Sequence, residues 1–393
     1  MKPLSIAITG AGIGGLAAAS LLADQGHTIS LFERFVTPRP VGSGLVIQPV
    51  GLAVLDRIGA GDAARALGAP IGRMLGHQET GRQVLNVSYR PAAPGLAMHR
   101  AALFEVLWQA MLRAGVTVIA GADVAAADLQ SGKRLLRLTV GDTHGPFDLI
   151  VDAGGAGSPL SPLTPRALPF GAIWGHVPWP ADGHLPRNEL RQRYHRASSM
   201  AGILPIGSLP GDPTPRAAVF WSLPVAALDG WAARDIDGWK RDAIALWPEI
   251  APFLAGIARS DQMTPARYSH GSLSQPFAPP LVHIGDAAHR ASPQLGQGAN
   301  MALLDALALT EALRLHSVAD ALPAYARMRR WHVRSYQVMS RLFTPMYQSD
   351  SRALPLIRDH ILGPMAGLPV VRSILTALVS GDMIPPVAST RLP

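Results

Sequence analysis

The sequence predicts an α/β protein, and three segments carry the prediction. An apolar, partly β-branched run from Leu4 to Thr9 meets the turn "GAGIGG" and then the helix-forming "LAAASLLADQG". A second run, "DLIVDAGGAGSPLS" at residues 148–161, again drives a buried strand into glycines. A third, "LVHIGDAAHRASPQLGQGANMALLDALALTEALR" at residues 281–314, passes from strand through a loop containing Pro and Gly into a long apolar-periodic helix. Strand, turn and helix in that order is the local signature of a parallel sheet covered by helices.

The first unit carries the most chemistry. Gly10, Gly12 and Gly15 fall on G-x-G-x-x-G, with Ile13 and Gly14 completing the turn and Gly26 stopping the helix. The first glycine permits the tight turn, the second lets backbone approach a pyrophosphate, and the third lets helix pack on strand. The next strand, "HTISLFE", ends at Glu33, about 20 residues on, where an acid accepts hydrogen bonds from ribose hydroxyls. This is a Rossmann-like dinucleotide site, and the acid favours a free 2′-hydroxyl, hence FAD or NAD over NADP.

Bulk properties narrow the class. A chain of 393 residues buries a large core, in two or three domains or two interleaved ones. The net charge of +8 comes from scattered Arg and Lys, and the densest patch, "RMRRWHVR", reads as a solvated helix face. Nucleic acid is therefore not an expected partner, and an anionic ligand is the better use of the charge. The absence of cysteine excludes disulfides, thiolate metal sites and thiol catalysis, and is compatible with the cytoplasm. The N-terminal "MKPLSIAITGAGIGGLAAASLLA" imitates a signal peptide, but its glycines would break the apolar region as a helix, so no export signal is expected. No spanning helix is expected either. His283 and His289 flank Asp286 without a second acid-and-His cluster, so they are expected to be structural and no metal is expected.

The stretch 281–314 resembles the Gly-Asp motif and glycine loop of the FAD-dependent aromatic hydroxylases, the single-component class A flavoprotein monooxygenases that include para-hydroxybenzoate hydroxylase. The resemblance extends over "ITGAGIGGLAAASLLADQGHTISLFER", "RPVGSGLVIQP", "MHRAALFEVL", "GADV", "DLIVDAGGAGS" and "YARMRRWHVRSYQVMSRLF". It implies that Asp286 binds the ribityl chain of FAD and Arg100 the flavin side, that backbone near Val124 meets adenine, and that Arg34 and Gly44 join the cofactor site. Pro293, Gly296, Gln297 and Gly298 would lie beside the isoalloxazine. The helix starting near Ala299 and Asn300 would aim free N–H groups at it, stabilising anionic reduced flavin without a side-chain charge.

The implied architecture is a discontinuous FAD-binding domain, residues 1–72, 98–169 and 271–340, interleaved with a smaller antiparallel-sheet substrate domain, residues 73–97 and 170–270. Residues 341–393 would form a C-terminal helical lid on the FAD domain. The substrate sheet is legible in "FGAIWGHVPW", "LRQRYHR", "AGILPIG" and "AAVFWSLP", and Trp174, His176, Tyr194, His195, Trp221 and Pro293 are its candidate pocket residues. A histidine is the best-tuned base for a phenol, although nothing selects one of the 13.

The implied activity is hydroxylation of an aromatic or polyketide-like small molecule, through a flavin C4a-hydroperoxide made from O₂, by a monomer or homodimer. Alternatives are an oxidase or dehydrogenase on the same fold and a non-catalytic flavin-binding protein. The second glycine turn departs from the family. Where the family has Ala-Asp-Gly-x-x-Ser followed by an Arg, this chain has Gly154 in the acid's place and Ser161 in the arginine's. Because residues two apart share a strand face, Asp152 is positioned to substitute in part. The change puts the electron donor in question: NAD(P)H, or reduced flavin supplied by a partner reductase.

Overall fold

A computed structural model describes residues 2–37 and 44–387, so residues 39–43 of the "RPVGSGLVIQP" loop lie outside the described residues. The first strand, β1 (Ser5–Thr9), pairs in parallel with β2 (Thr28–Glu33) on one side and with Leu149–Asp152 on the other. Thr117–Ala120 extends the parallel sheet beyond β2, and Leu281–His283 extends it beyond Leu149–Asp152. All three glycine turns thus leave adjacent parallel strands and meet at one end of the sheet. Ile6, Ala7, Ile8, Leu149, Ile150 and Val151 are fully buried, as continuous apolar runs must be when both faces of a parallel sheet are covered.

Helix Ile13–Asp24 is buried almost all round between this sheet and helix Gly298–Leu315, which explains why it is built from Leu and Ala instead of showing a polar stripe. Helix Arg100–Arg113 packs beside it through Leu103, Val106, Leu107 and Ala110.

The second layer is an eight-stranded sheet. Its order is His289–Arg290, Thr264–Ser272, Arg166–Pro178, Arg216–Pro224, Ser199–Pro205, Glu189–His195, Arg73–Gln78 and Gln83–Ser88. It is antiparallel except that Glu189–His195 and Arg73–Gln78 run parallel, which the sequence reading did not foresee. Alternation divides its residues: Ile173, Ala201, Ile203, Val219 and Leu223 face a core with Trp231, Trp239, Trp247 and Phe253, while Trp174, Tyr194, Met200 and Phe220 face the other way.

The boundaries read from the sequence fall unevenly. That at 72/73 coincides with the start of strand Arg73–Gln78, whereas those at 169/170 and 270/271 cut strands Arg166–Pro178 and Thr264–Ser272. The boundary at 340/341 lies inside the 30-residue helix Val318–Tyr347. The segment after that helix also packs against strand Gln83–Ser88 of the eight-stranded sheet, through helix Pro369–Ser380 and a Thr376 Oγ1 bond of 2.9 Å to the Ser88 carbonyl. It joins both layers.

Candidate active site

Between the C-terminal ends of the parallel strands and the inner face of the eight-stranded sheet lies a cavity of about 830 Å³. One part of its wall is built by the first turn. Gly10 has φ of +91°, and a Cβ there would sit 2.7 Å from the Ala153 carbonyl, so only glycine serves. A Cβ on Gly12 would meet nothing within 4 Å: that position opens into the cavity and leaves room for a ligand to approach the backbone. Gly15 does not line the cavity but is pressed against Gly10 and Ala153, which is the packing role read from its spacing. Helix Ile13–Asp24 starts from Gly12 with no side-chain cap, so its first N–H groups and positive dipole end stay available to an anion.

Glu33 is buried and on the cavity wall, accepting from the backbone N–H of Ala11 at 2.7 Å and of Phe35 at 3.0 Å. Each oxygen keeps lone pairs for ribose hydroxyls. Ile13, Gly14, Arg34, Gly44 and Val124 also line the cavity, Gly44 close to Ile206 and Ala218, and the Arg34 guanidinium lies over the Phe35 ring.

Asp286 projects into the cavity from a 3₁₀ turn, Gly285–Ala287, that a buried network holds from behind. Asp305 accepts from the Gly285 N–H at 2.9 Å, bonds His289 Nε2 at 2.6 Å, and accepts from Arg329 Nε at 2.7 Å. Burial would raise the Asp305 pKa, but His289 and Arg329 outweigh it and hold the carboxyl well below its ordinary range. Arg100, the first residue of helix Arg100–Arg113, lies on the wall; desolvation lowers its pKa while Asp286 and Tyr268 favour its charge.

Pro293, Gly296, Gly298 and Ala299 line the middle of the cavity, and helix Gly298–Leu315 begins there without a side-chain cap. Gln297 and Asn300 do not line it. The Gln297 amide donates to the carbonyls of Val379 at 3.0 Å and Leu378 at 3.4 Å, tying helix Pro369–Ser380 to the glycine loop. Asn300 donates to Val46 and Gly296 and accepts from the Gln48 N–H at 2.8 Å. Their side chains brace the loop, leaving main chain to face a ligand.

The altered second turn is fully organised. Asp152, completely buried, accepts from the Gly154 N–H at 3.0 Å, Ser158 Oγ at 2.7 Å and Thr9 Oγ1 at 3.2 Å, and bonds His283 Nδ1 at 2.7 Å. Ser161 donates to the Ala287 carbonyl at 2.5 Å, linking this turn to the Gly-Asp turn. His283 and His289 are thus each bonded to an aspartate. Among the described residues no group of three or more His, Cys, Asp or Glu is arranged to hold a metal ion.

On the side of the eight-stranded sheet, Trp174 stacks on Phe220 with 4.4 Å between ring centroids and donates from Nε1 to the Tyr268 hydroxyl at 2.8 Å. Tyr194 also lines the cavity, its hydroxyl donating to Gln192 at 2.8 Å. Three sequence candidates do not reach it. Trp221, of opposite parity to Phe220, turns to the far face and packs on Trp239. His176 shares the face of Trp174 but lies two residues further along, against His99 and Arg216. His195 is at the strand end with Glu79. No histidine lines the cavity among the described residues, so the histidine base has no candidate. Sequence reasoning missed Tyr268 and Phe220, which alternation marks only once strand pairing fixes the inward face, and Phe343, Tyr347, Leu375 and Val379, which only the tertiary fold brings in.

The fit to FAD rests on this geometry: two uncapped helix N-termini, an acid beyond the first turn, an open Gly12, and a cavity long enough to join them. A family model described as "FAD binding domain" matches residues 4–337. Kynurenine 3-monooxygenase of Xanthomonas campestris is 30% identical over 376 residues, covering 86% of this chain and 78% of that protein. The FAD-dependent urate hydroxylase of Klebsiella pneumoniae is 27% identical, covering 85% and 88%. The crystal structure of Klebsiella pneumoniae HpxO complexed with FAD and uric acid superposes with a TM-score of 0.81 at 21% identity, covering 97% of this chain and 98% of that one. That of 2-methyl-3-hydroxypyridine-5-carboxylic acid oxygenase gives 0.77 at 23% identity, covering 91% and 96%. With the nucleotide turn, the Gly-Asp turn and the roofing sheet in place, the chain belongs to the FAD-dependent aromatic hydroxylase family and is an FAD-dependent monooxygenase.

Proposed function

We propose that this cavity holds FAD along Gly10, Gly12, Glu33, Arg34, Gly44, Arg100, Val124 and Asp286, with its reactive ring beside Pro293, Gly296, Gly298 and Ala299. The observation that carries this reading is the uncapped start of helix Gly298–Leu315, aimed by glycines at the junction between the two sheets. FAD, when bound, supplies the redox chemistry that activates O₂. The chain's own groups bind and orient.

The helix N–H groups stabilise negative charge at the ring. Asp286 accepts from cofactor hydroxyls, and Arg100 balances negative charge on the same wall. Because the Tyr268 oxygen accepts from Trp174, its own proton is free to be donated to a substrate oxygen. Burial raises the Tyr268 pKa to about 12, so it acts as a neutral donor and not as a base. The substrate is an aromatic small molecule seated against Trp174, Phe220 and Tyr268.

Electrons come from NAD(P)H or from reduced flavin delivered by a reductase partner, in the cytoplasm. Anaerobic stopped-flow with NADH, NADPH and reduced FMN separates the donors. The function is tested with ¹⁸O₂. Label in the product is expected, and unlabelled product with stoichiometric peroxide would instead establish an oxidase.

A further inference from the structure

The cavity crosses far more of the substrate sheet than one aromatic ring needs. Seven successive strands, from Thr264–Ser272 with Tyr268 to the edge strand Gln83–Ser88 with Leu85, each contribute to its wall. At roughly 4.8 Å per strand the six intervals span about 25 to 30 Å along the sheet, several ring widths.

The chemistry of the wall changes along that path. The charged residues among the described lining are Glu33, Arg34, Arg100, Asp123 and Asp286, none of them on the sheet beyond Trp174. Past Phe220 the surface is aliphatic: Met200, Leu204, Leu190, Met74 and Leu85 on the sheet, faced by Leu375 of helix Pro369–Ser380. Some of the polar groups there are already paired. Gln192 accepts from Tyr194 and donates to Met200 Sδ, and Asn86 accepts from Arg73 at 2.9 Å. The described lining of this end holds no charged side chain, so a ligand carboxylate buried there would meet no cation on the wall. A second cleft, of about 330 Å³, shares Asn86 and Ala366 with the cavity and gives this end a surface neighbour.

We infer that the substrate is a neutral aromatic carrying an extended hydrocarbon chain, with the ring at Trp174 and Tyr268 and the chain lying along Met200, Leu190 and Leu85 beneath Leu375. This deepens the proposed function and rests on its placement of the aromatic ring. Hydrocarbon burial gives the affinity and the polar ring end fixes orientation.

The test uses the FAD-loaded protein and calorimetric titration with phenol and its 4-methyl, 4-propyl, 4-pentyl and 4-heptyl derivatives, beside 4-hydroxyphenylalkanoic acids of matched length. The expected result is saturable 1:1 binding that tightens about fourfold per methylene until the subsite is filled. The acids should bind at least about tenfold more weakly than the alkylphenols of equal length. In Leu375→Arg the gain per methylene should shrink and the order of acid and alkyl ligands should reverse, with phenol itself unchanged within about twofold. Leu375→Ala, a milder change, guards against misfolding and should flatten only the longest members. A flat wild-type series, a preference for the acids, or a chain-length gain that neither variant alters would overturn the inference. A protein that takes up no FAD would overturn the proposed function instead, whatever the series shows.

Discussion

Asp152 answers the question raised by the missing acid at 154. Its two oxygens already serve Thr9, Gly154, Ser158 and His283, so the turn has its carboxylate, supplied from two residues earlier and from behind the cavity wall. A Cβ on Gly154 would stand 3.1 Å from Asp152 Oδ1 and 3.0 Å from Ser158 Cβ. Gly154→Asp therefore adds a like charge to a crowded site and should lower the melting temperature without improving reduction by NADH or NADPH. A variant that melts normally and is reduced faster would show the turn accepts either acid. Asp152→Ala leaves a buried His283 and an N–H without a partner and should cost about 3 to 5 kcal/mol in urea unfolding. Asp286 is the contrasting acid, exposed to the cavity, with its carbonyl accepting from Arg290 Nε at 3.1 Å and its carboxylate favouring the charge of Arg100. Asp286→Ala should leave folding intact and weaken FAD by about 1.5 to 3 kcal/mol, measured by flavin fluorescence on titration of the apoprotein. An unchanged affinity would remove Asp286 from the cofactor site.

At the scale of elements, the parallel unit was legible because each part of it is local: apolar run, glycine turn, helix, with Glu33 at a fixed distance. The strands of the substrate sheet were legible for the same reason, but which faces look inward was not, because Trp174 and Trp221 are equally apolar and only pairing with Phe220 and Trp239 separates them. The C-terminal helices were the least legible. Their contribution to the cavity depends on Gln297, a side chain 81 and 82 residues away from the carbonyls it binds. It reads in sequence as part of a cofactor loop, and in the fold it is the tie between that loop and helix Pro369–Ser380. Gln297→Ala should therefore loosen the helix, costing about 1 to 3 kcal/mol and raising proteolysis within 353–387. FAD affinity should change less than in Asp286→Ala. Were FAD lost while the helix stayed protected, the side chain would belong to the cofactor site after all.

Across the whole molecule, the groups that join the layers are buried histidines as well as aspartates, and they set the response to acid. His99 caps helix Arg100–Arg113 by accepting from the Ala101 N–H at 3.0 Å, and it faces His176 at 4.5 Å between ring centroids. Burial, with His176 and Arg216 adding to it, pushes its pKa down to about 4, and burial beside Arg329 pushes His332 down to about 3. A histidine in the unfolded chain titrates near 6.5, so between about pH 6.5 and these folded values the unfolded state binds more protons. Stability contributed by both groups is complete above 6.5 and falls as the pH drops through that window. Asp305, depressed by its partners, acts in the same direction at lower pH: its contribution is present above the ordinary carboxylate range and is lost as the pH falls towards its folded value. The protein should accordingly weaken well before its carboxylates protonate. His99→Asn isolates one share of this, because asparagine keeps an N-cap acceptor and does not titrate. Between pH 7.5 and 4.5 the variant should lose roughly 2 to 3 kcal/mol less stability than the parent protein, read from urea midpoints at both pH values with saturating FAD. Equal losses in the two proteins would mean that His99 gains its proton in the fold as readily as in the unfolded chain, and that the junction at His99 and His176 opens to water.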